Sequence, residues 1–184
     1  MMPRLHPLYT KLLLLAIVFG PFFWLVFTDD GQWRTDTVLL MLFGKPALNL
    51  APERLYPGLD EAAVGERFRK IDLDCADAAT PFGDRLCTAE IGTFNSIPAR
   101  SLVLYYADGR LMVAKIDYRR RYHARLLAWL TKRLGTPEAA AEGTTATWSV
   151  DEGVVVARAG ELGPDEEPAL LWLSRAVAVH TPAN

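Results

Sequence analysis

Residues 101–134 read SLVLYYADGRLMVAKIDYRRRYHARLLAWLTKRL, and this stretch decides the fold. Two runs rich in β-branched and aromatic residues flank the pair Asp108-Gly109, which is a strong signal for a β-hairpin. Apolar residues then recur at helical spacing, closed by a glycine and a proline: Tyr122, Leu126, Leu127, Leu130, Leu134, Gly135 and Pro137. The stretch therefore predicts a hairpin followed by an amphipathic helix.

The same signals extend the pattern in both directions. Asp60 is expected to cap a first helix over 61–69. The predicted strands are 71–75, 86–91, 101–106, 111–118, 146–150, 154–159 and 170–174, the last of which is expected to run on toward 179. The order α-ββββ-α-βββ predicts an α+β domain over 58–179, with two helices packed on an antiparallel sheet and a short tail at 180–184.

A second decisive stretch lies near the N-terminus. Residues 12–27, LLLLAIVFGPFFWLVF, contain no charged side chain. Sixteen helical residues span about 24 Å, slightly less than a hydrocarbon core of about 30 Å, and Leu8 and Tyr9 can add a turn. Arg4 and Lys11 precede the span, so the positive-inside rule places residues 1–11 in the cytoplasm. The sequence predicts a single-pass protein whose domain lies outside the cytoplasm.

The competing interpretation of this stretch is a cleaved secretory signal, because a charged start and an apolar run describe both. Cleavage requires small residues, and VFTDD at 26–30 offers no A-x-A pattern. Arginine outnumbers lysine by 15 to 5 and alanine is abundant, a composition typical of GC-rich bacterial genomes. We therefore expect an uncleaved anchor in a bacterial inner membrane and a periplasmic domain.

Residues 28–57 are predicted to form a membrane-proximal segment with a short apolar helix over 37–43, capped by Asp36. This helix is too short to cross a bilayer. Three roles stay open: an interfacial helix beside Trp33, a contact with a partner subunit, or completion of the domain core. Residues 47–57 are expected to be an irregular connector. The candidate lipid or partner contacts of the segment are Trp33, Val38, Leu39, Leu42 and Phe43.

Cys75 and Cys87 are the only cysteines, and both lie in the domain predicted to be periplasmic. An oxidising compartment favours their pairing. Closing a loop of about thirteen residues would stabilise the fold by roughly 3 kcal/mol. The spacing is not C-x-x-C and no histidine lies nearby, so a structural disulfide is expected rather than a redox or metal site.

Four arginines surround the start of the main helix: Arg119, Arg120, Arg121 and Arg125. Positive charge at a helix N-terminus opposes the macrodipole, so an anion is expected nearby. It could belong to the acidic loop 165–167, to lipid headgroups or to an acidic partner, or the arginines could simply extend into water. His123 lies within this cluster and is expected to be exposed or half-buried, with the neighbouring cations disfavouring its protonated form.

The remaining features exclude several function classes. A net charge of −2 gives no concentrated positive face for nucleic acid. No catalytic triad or phosphate-binding glycine loop is present, so we expect neither an enzyme nor a cofactor. The leading hypothesis is an accessory or assembly subunit of an inner-membrane complex, in contact with other subunits and the bilayer. The alternative is a tethered periplasmic module that binds a small ligand, peptide or cell-wall fragment. Its pocket would be lined by aromatic residues whose strand patterns otherwise favour the core, namely Tyr105, Tyr118, Trp148 and Trp172.

Overall fold

A computed structural model describes residues 7–43, 45–139, 144–163 and 165–180. The chain divides after Leu39 into two compact units. Part of the predicted cytoplasmic start, including Arg4, and the end of the predicted tail lie outside the described residues, so the expectations for them stay predictions.

Two consecutive helices form the first unit. Helix α1 (Pro7–Phe27) and helix α2 (Asp29–Leu42) are separated by Thr28 alone, and α2 continues past the boundary between the units. The 21 residues of α1 measure about 31 Å at 1.5 Å per residue, so the added turn expected at Leu8 and Tyr9 is present. The segment Leu8–Phe27 is long and apolar enough to cross a membrane.

Helix α2 is twice as long as the predicted helix over 37–43 and begins earlier. Thr28, rather than Asp36, caps its start, because the backbone N–H of Gly31 donates a hydrogen bond to Thr28 Oγ1 at 3.1 Å. Asp36 therefore lies inside the helix. The first eight residues of α2, DDGQWRTD, carry no apolar periodicity, and this is why the sequence did not reveal them.

The second unit combines helices with a sheet. Its helices are α3 (Glu61–Arg67), α4 (His123–Leu134) and α5 (Arg175–His180), with single turns of 3-10 helix at Pro52–Arg54 and Arg120–Tyr122. The described residues contain ten strands: β1 (Ala47–Leu48), β2 (Asp74–Thr80), β3 (Gly83–Glu90), β4 (Thr93–Phe94), β5 (Ile97–Ala107), β6 (Arg110–Tyr118), β7 (Glu138–Ala139), β8 (Thr145–Val150), β9 (Gly153–Arg158) and β10 (Ala169–Ser174).

The predicted α+β class and element order are confirmed. If the two-residue strands β1, β4 and β7 are set aside, the domain reads α3-β2-β3-β5-β6-α4-β8-β9-β10, which is α-ββββ-α-βββ. The sheet is larger than predicted, with the order β1-β4-β5-β6-β10-β9-β8-β7 and β2 and β3 joined at β5. It is mixed rather than wholly antiparallel, because β1 pairs with β4 in parallel.

One face of the sheet carries the core and both longer helices of the domain. A row of directly paired residues crosses seven strands along this face: Cys75, Cys87, Leu104, Ala114, Trp172, Val155 and Trp148. All of them except the first are buried. On this face Glu61 of α3 binds Arg85, and His123 of α4 binds Tyr118. The expectation of helices packed on one side of a sheet is confirmed.

Tight turns set the register of the hairpins. Asp108 and Gly109 adopt φ values of 50° and 72°, so the predicted hairpin closes with a type I′ turn. A second turn of this kind joins β4 to β5 through Asn95 and Ser96, with φ values of 48° and 65°. Serine is uncommon at such a position, and the sequence did not indicate this turn.

Most predicted strands differ from the observed ones in their bounds: β3 and β5 begin three and four residues earlier than predicted, and the first and last strands differ as follows. The strand expected over 71–75 begins at Asp74, because Ile71 closes the turn after α3 through a hydrogen bond from its N–H to Phe68 O at 2.8 Å. The last strand ends at Ser174 and does not reach 179. Its partner β9 begins at Gly153, which lies opposite Ser174, so no ladder partner remains and the chain turns into α5.

The predicted irregular connector over 47–57 belongs to the core. Leu48, Leu50 and Leu55 are 0%, 3% and 2% exposed. Asn95 Nδ2 donates a hydrogen bond to Leu50 O at 2.7 Å, which ties this segment to the β4–β5 turn. The predicted domain boundary at residue 58 therefore falls inside the second compact unit.

The helices of the domain follow their expected caps. Asp60 Oδ1 accepts a hydrogen bond from Ala63 N–H at 2.8 Å, which confirms the predicted start of α3. The helix ends two residues earlier than predicted, at Arg67, and Val64 is its buried residue. Helix α4 ends at Gly135, whose φ of 91° fits the predicted glycine cap.

Candidate functional site

The apolar end of α2 is exposed. Val38, Leu39, Leu42 and Phe43 have exposed fractions of 55%, 43%, 74% and 78%, so they do not complete the domain core. Trp33 is half-buried and lies five residues before Val38, about 140° around the helix. The structure therefore brings four of the five predicted contact residues together and places Trp33 on another side. We call the four exposed residues the apolar stripe.

The junction between α1 and α2 is tightly hydrogen-bonded. Thr28 Oγ1 donates to Trp24 O at 2.6 Å, and Gln32 Nε2 donates to Val26 O at 2.8 Å. The bond to Val26 O satisfies a carbonyl oxygen that the end of α1 would otherwise leave unpaired, whereas Trp24 O also accepts the backbone N–H of Thr28 at 3.2 Å. Arg34 lies over the Trp24 ring at 5.5 Å and pairs with an aspartate one turn before it. These contacts hold the junction between the two helices in a defined geometry, and we call this junction the corner.

The arginine cluster is engaged within the chain. Arg120 donates a hydrogen bond to Leu162 O at 2.8 Å, and the Arg121 guanidinium lies 5.7 Å from the Tyr122 ring. Arg119 and Arg125 also have partners within the chain. Pairing within the chain is one of the alternatives open for these arginines, and the structure shows such partners. Their role as partner or lipid contacts stays a prediction without structural support.

The acidic loop expected near this cluster also has partners of its own. Glu166 pairs with Arg158 at 3.2 Å, and Glu167 pairs with Arg100 at 2.7 Å. Both pairs are partly exposed, so each contributes at most about 1 kcal/mol. They hold the loop before β10 against strands β9 and β5.

His123 is buried, which corrects the expectation of an exposed or half-buried side chain. It is 6% exposed, and both ring nitrogens are engaged: Nδ1 lies 2.7 Å from Tyr118 Oη, and Nε2 lies 2.8 Å from Gly160 O. A carbonyl can only accept, so Nε2 carries the proton and Nδ1 accepts from the tyrosine hydroxyl. This arrangement fixes the loop after β9 against the start of α4.

Burial lowers the pKa of His123, and this is the main cause of the shift. The hydrogen bond to Gly160 and the charge of Glu166 oppose the shift, whereas Arg158 adds to it. The direction agrees with the prediction, but the predicted cause, the cluster at 119–125, is not among the contributors.

We expect the free energy of unfolding to fall as the pH drops below about 6.5, the usual histidine pKa. The unfolded chain then binds a proton that buried His123 takes up only at lower pH, so the loss continues until the folded-state pKa is reached. Urea titrations between about pH 5 and pH 8 measure how the free energy of unfolding changes with pH. The variant His123→Gln keeps a donor for Gly160 O but has no side chain that titrates in this range. Its free energy of unfolding should therefore fall less steeply with falling pH than that of the natural sequence. An identical slope in both proteins would contradict this assignment.

The two cysteines form the predicted disulfide. Cys75 and Cys87 lie opposite each other in β2 and β3, with their Cα atoms 4.0 Å apart. Glu61 lies close to both sulfur atoms, but oxidised cysteines offer no thiolate to a metal. Glu61 binds Arg85 at 2.5 Å, and this contact lowers the pKa of its carboxyl group. Cys75 and Cys87 thus form a structural disulfide beside the ion pair of Glu61 and Arg85.

A cleft of about 710 Å³ lies at one end of the sheet, and we call it the end cleft. The connector before α3 forms one wall, and the turns before β6 and β9 form the other, because both turns lie at the same end of the sheet. The N–H of Leu111 donates to Pro57 O at 3.0 Å and fixes the connector there. Tyr56, 44% exposed, stands at this wall.

Besides Glu53, which pairs with Arg133, four charged side chains line the end cleft: Arg54, Arg110, Asp151 and Glu152. Within the described part of the chain, none of the four makes a side-chain hydrogen bond or ion pair. The sequence pattern did not indicate this site, although the sequence does contain one signal for it. A turn with charged residues precedes each of the strands β6 and β9, and these strands run in the same direction, so both turns lie at one end of the sheet.

The aromatic residues expected to line a pocket lie elsewhere. Tyr118, Trp148 and Trp172 are at most 2% exposed and belong to the core, as their strand patterns favoured. Tyr105 is half-buried and packs edge-on against Phe82, with ring centroids 5.3 Å apart. A ligand site built on these four side chains is therefore not present in the described residues.

No protein-family model matches the chain, and comparisons with curated proteins and with solved structures find no match.

Proposed function

We propose that the chain is a membrane-anchored, non-enzymatic accessory or assembly subunit of a bacterial inner-membrane protein complex. In this proposal α1 crosses the inner membrane with its N-terminus in the cytoplasm, and the α+β domain lies in the periplasm. Lys11, in the first turns of the span, agrees with that orientation. The Cys75–Cys87 disulfide agrees with an oxidising compartment.

The observation that carries the proposal is the exposure of α1. None of its apolar window is buried within the chain. Fully burying one large apolar side chain is worth about 1.5–3 kcal/mol, so a helix with this composition requires lipid or protein around it. An anchor that occupies an appreciable part of a small protein indicates that its place at the membrane matters to its function.

The arrangement of reactive side chains supports a non-enzymatic role. Both ring nitrogens of His123 are committed to Tyr118 and Gly160, and a buried histidine in this state is a poor general base. The cysteines are held in a disulfide. The chemistry of the described surface thus favours contact over catalysis.

The end cleft is the domain surface that best fits a protein partner. Exposed tyrosine and arginine side chains are enriched in protein interfaces and at their energetic centres. Tyr56 supplies the aromatic group, and Arg54 and Arg110 supply cations whose side chains form no ion pair with the described residues. An acidic segment of a partner subunit could bind these arginines, while Asp151 and Glu152 would select against a purely acidic surface.

We expect a photo-crosslinking amino acid at Tyr56 to capture a defined membrane protein in native membranes. Crosslinks would be identified by mass spectrometry after mild solubilisation. The matched control carries the same group at Thr144, which is exposed and lies at the end of the β8–β9 hairpin opposite the Asp151-Glu152 turn. Tyr56→Ala combined with Arg110→Glu should reduce recovery of the same partner by about tenfold or more, as for loss of an interface hot spot. Recovery of the chain only as a free monomer would contradict the proposal.

The second candidate function is a tethered module that binds a small ligand or peptide. The observation that favours it is that arginines and acidic side chains both line the end cleft, and among the described residues they form no ion pair with each other. A zwitterionic ligand such as a dipeptide could satisfy both. Dose-dependent amide shifts at Arg110 and Glu152 on adding alanyl-alanine to the full chain, together with the absence of a crosslinked protein, would favour this function over the first.

A further inference from the structure

The side of α2 that meets α1 continues along α2 as the apolar stripe. A Cβ atom at Gly31 would collide with the carbonyl oxygen of Trp24 and with Cα of Leu25, so this side of α2 lies directly against the end of α1. Val38 and Leu42 follow Gly31 by seven and eleven residues, which places them within about 20° of the same line along the helix. The side of α2 that contacts the end of α1 is therefore also the side that carries Val38 and Leu42.

Helix α2 does not run back along α1. Within α1 the lowest exposed fractions of large apolar side chains lie in the last turn, 37% at Leu25 and 41% at Val26, although Phe27 at the very end is 69% exposed. One to two turns earlier, Phe22 and Phe19 remain 59% and 49% exposed. A helix packed antiparallel to α1 would cover these rings. Helix α2 therefore crosses the end of α1. Beyond this contact, the side of α2 that carries Gly31 faces the medium that surrounds α1.

The polar groups of the corner suit the headgroup region of a bilayer. Tryptophan is enriched at membrane interfaces, and Trp24 occupies the last turn of α1. Arg34 stacks on this ring and stands on the exposed side of α2 one turn before Val38. Its long side chain can keep the charge among headgroups while the stripe lies deeper. The opposite side of α2, with Trp33, Asp36, Thr37 and Leu40, is half-buried.

We propose that α2 is an interfacial helix whose stripe, Val38, Leu39, Leu42 and Phe43, inserts into the leaflet at which α1 ends. The occupant of the stripe is lipid, because the side of α2 that rests on the end of α1 is the side turned toward the bilayer. An amphipathic helix in the interface plane buries its apolar face at the boundary of headgroups and acyl chains. The inference rests on the proposed function for the membrane span of α1 and adds a second membrane contact to it.

The test is site-directed spin labelling of the full chain in vesicles of phosphatidylethanolamine and phosphatidylglycerol. The native cysteines are paired, so a single introduced cysteine takes the label. We expect the label in Leu42→Cys to collide several-fold more often with oxygen than with a water-soluble nickel chelate. The matched control, Thr131→Cys on the exposed side of α4, should show the reverse preference.

A label in Val18→Cys, in the middle of α1, separates the two hypotheses. If Val18 is deep in the bilayer and Leu42 is as accessible to nickel as Thr131, the interfacial helix is overturned and the anchor stands. If Leu42 is shielded from both reagents, the stripe is covered by protein and the lipid assignment is wrong. If Val18 itself is accessible to nickel, the membrane span of the proposed function fails.

Discussion

Replacing Trp172 with alanine is expected to lower the free energy of unfolding of the domain by about 3–5 kcal/mol. Trp172 is 2% exposed and lies on β10, between β6 and β9 in the middle of the sheet. Removing the indole loses its transfer free energy and leaves a cavity that a sheet paired on both sides cannot close. Urea-induced unfolding of the full chain in detergent, followed by far-ultraviolet circular dichroism, measures the loss.

Three further substitutions test the position of this side chain. Trp24→Ala, on exposed α1, should leave the unfolding of the domain unchanged. Within the described residues, the indole N–H of Trp172 has no acceptor, whereas that of Trp148 donates to Gly135 O at 2.9 Å. Trp172→Phe should therefore cost less than Trp148→Phe, which also leaves a carbonyl without its donor. An unchanged stability in Trp172→Ala would refute the described core.

Removing the disulfide with Cys75→Ala and Cys87→Ala together is expected to cost about 3 kcal/mol. The bond closes a loop between residues twelve positions apart, and it restricts the unfolded chain more than the folded one. Its two cysteines are already opposed in the β2–β3 ladder, so the folded strands can pair without the bond. The same urea unfolding experiment measures the difference.

The control is the natural sequence under strong reductant, which should lose as much stability as the double variant. Alkylation and mass spectrometry of protein taken from native membranes without reductant should find no free thiol. Two free thiols there would contradict the bond in the cell and also the periplasmic position of the domain.

The longer elements of the domain could be predicted because local signals and tertiary packing agree. Asp108-Gly109 fixes one hairpin, and the spacing of Leu126 and Leu130 fixes the buried side of α4. Two residues are too few to show an alternating pattern, so β1, β4 and β7 could not be predicted, and β1 also depends on a partner far along the chain, as the pairing of Ala47 with Thr93 shows.

The candidate site was harder to predict than the fold for the same reason. Charge density near 119–125 left an external contact, internal pairing and exposure to water all open, and the structure shows that these arginines have partners within the chain. The end cleft joins Tyr56, Arg110 and Glu152, which are separated by dozens of residues in sequence. Only the strand order brings them together. The apolar stripe was visible in sequence, but its alignment with Gly31 required the true start of α2.

Strand β1 and the leucines that follow it limit where the chain can be cut. A truncation that begins at residue 58 would remove Leu48, Leu50 and Leu55 and uncover the outer edge of β4. A released fragment of this kind would expose apolar surface and an unpaired backbone edge, both of which promote aggregation. Proteolytic shedding of an intact domain therefore requires a cut between the end of α2 and Ala47, a window only a few residues wide.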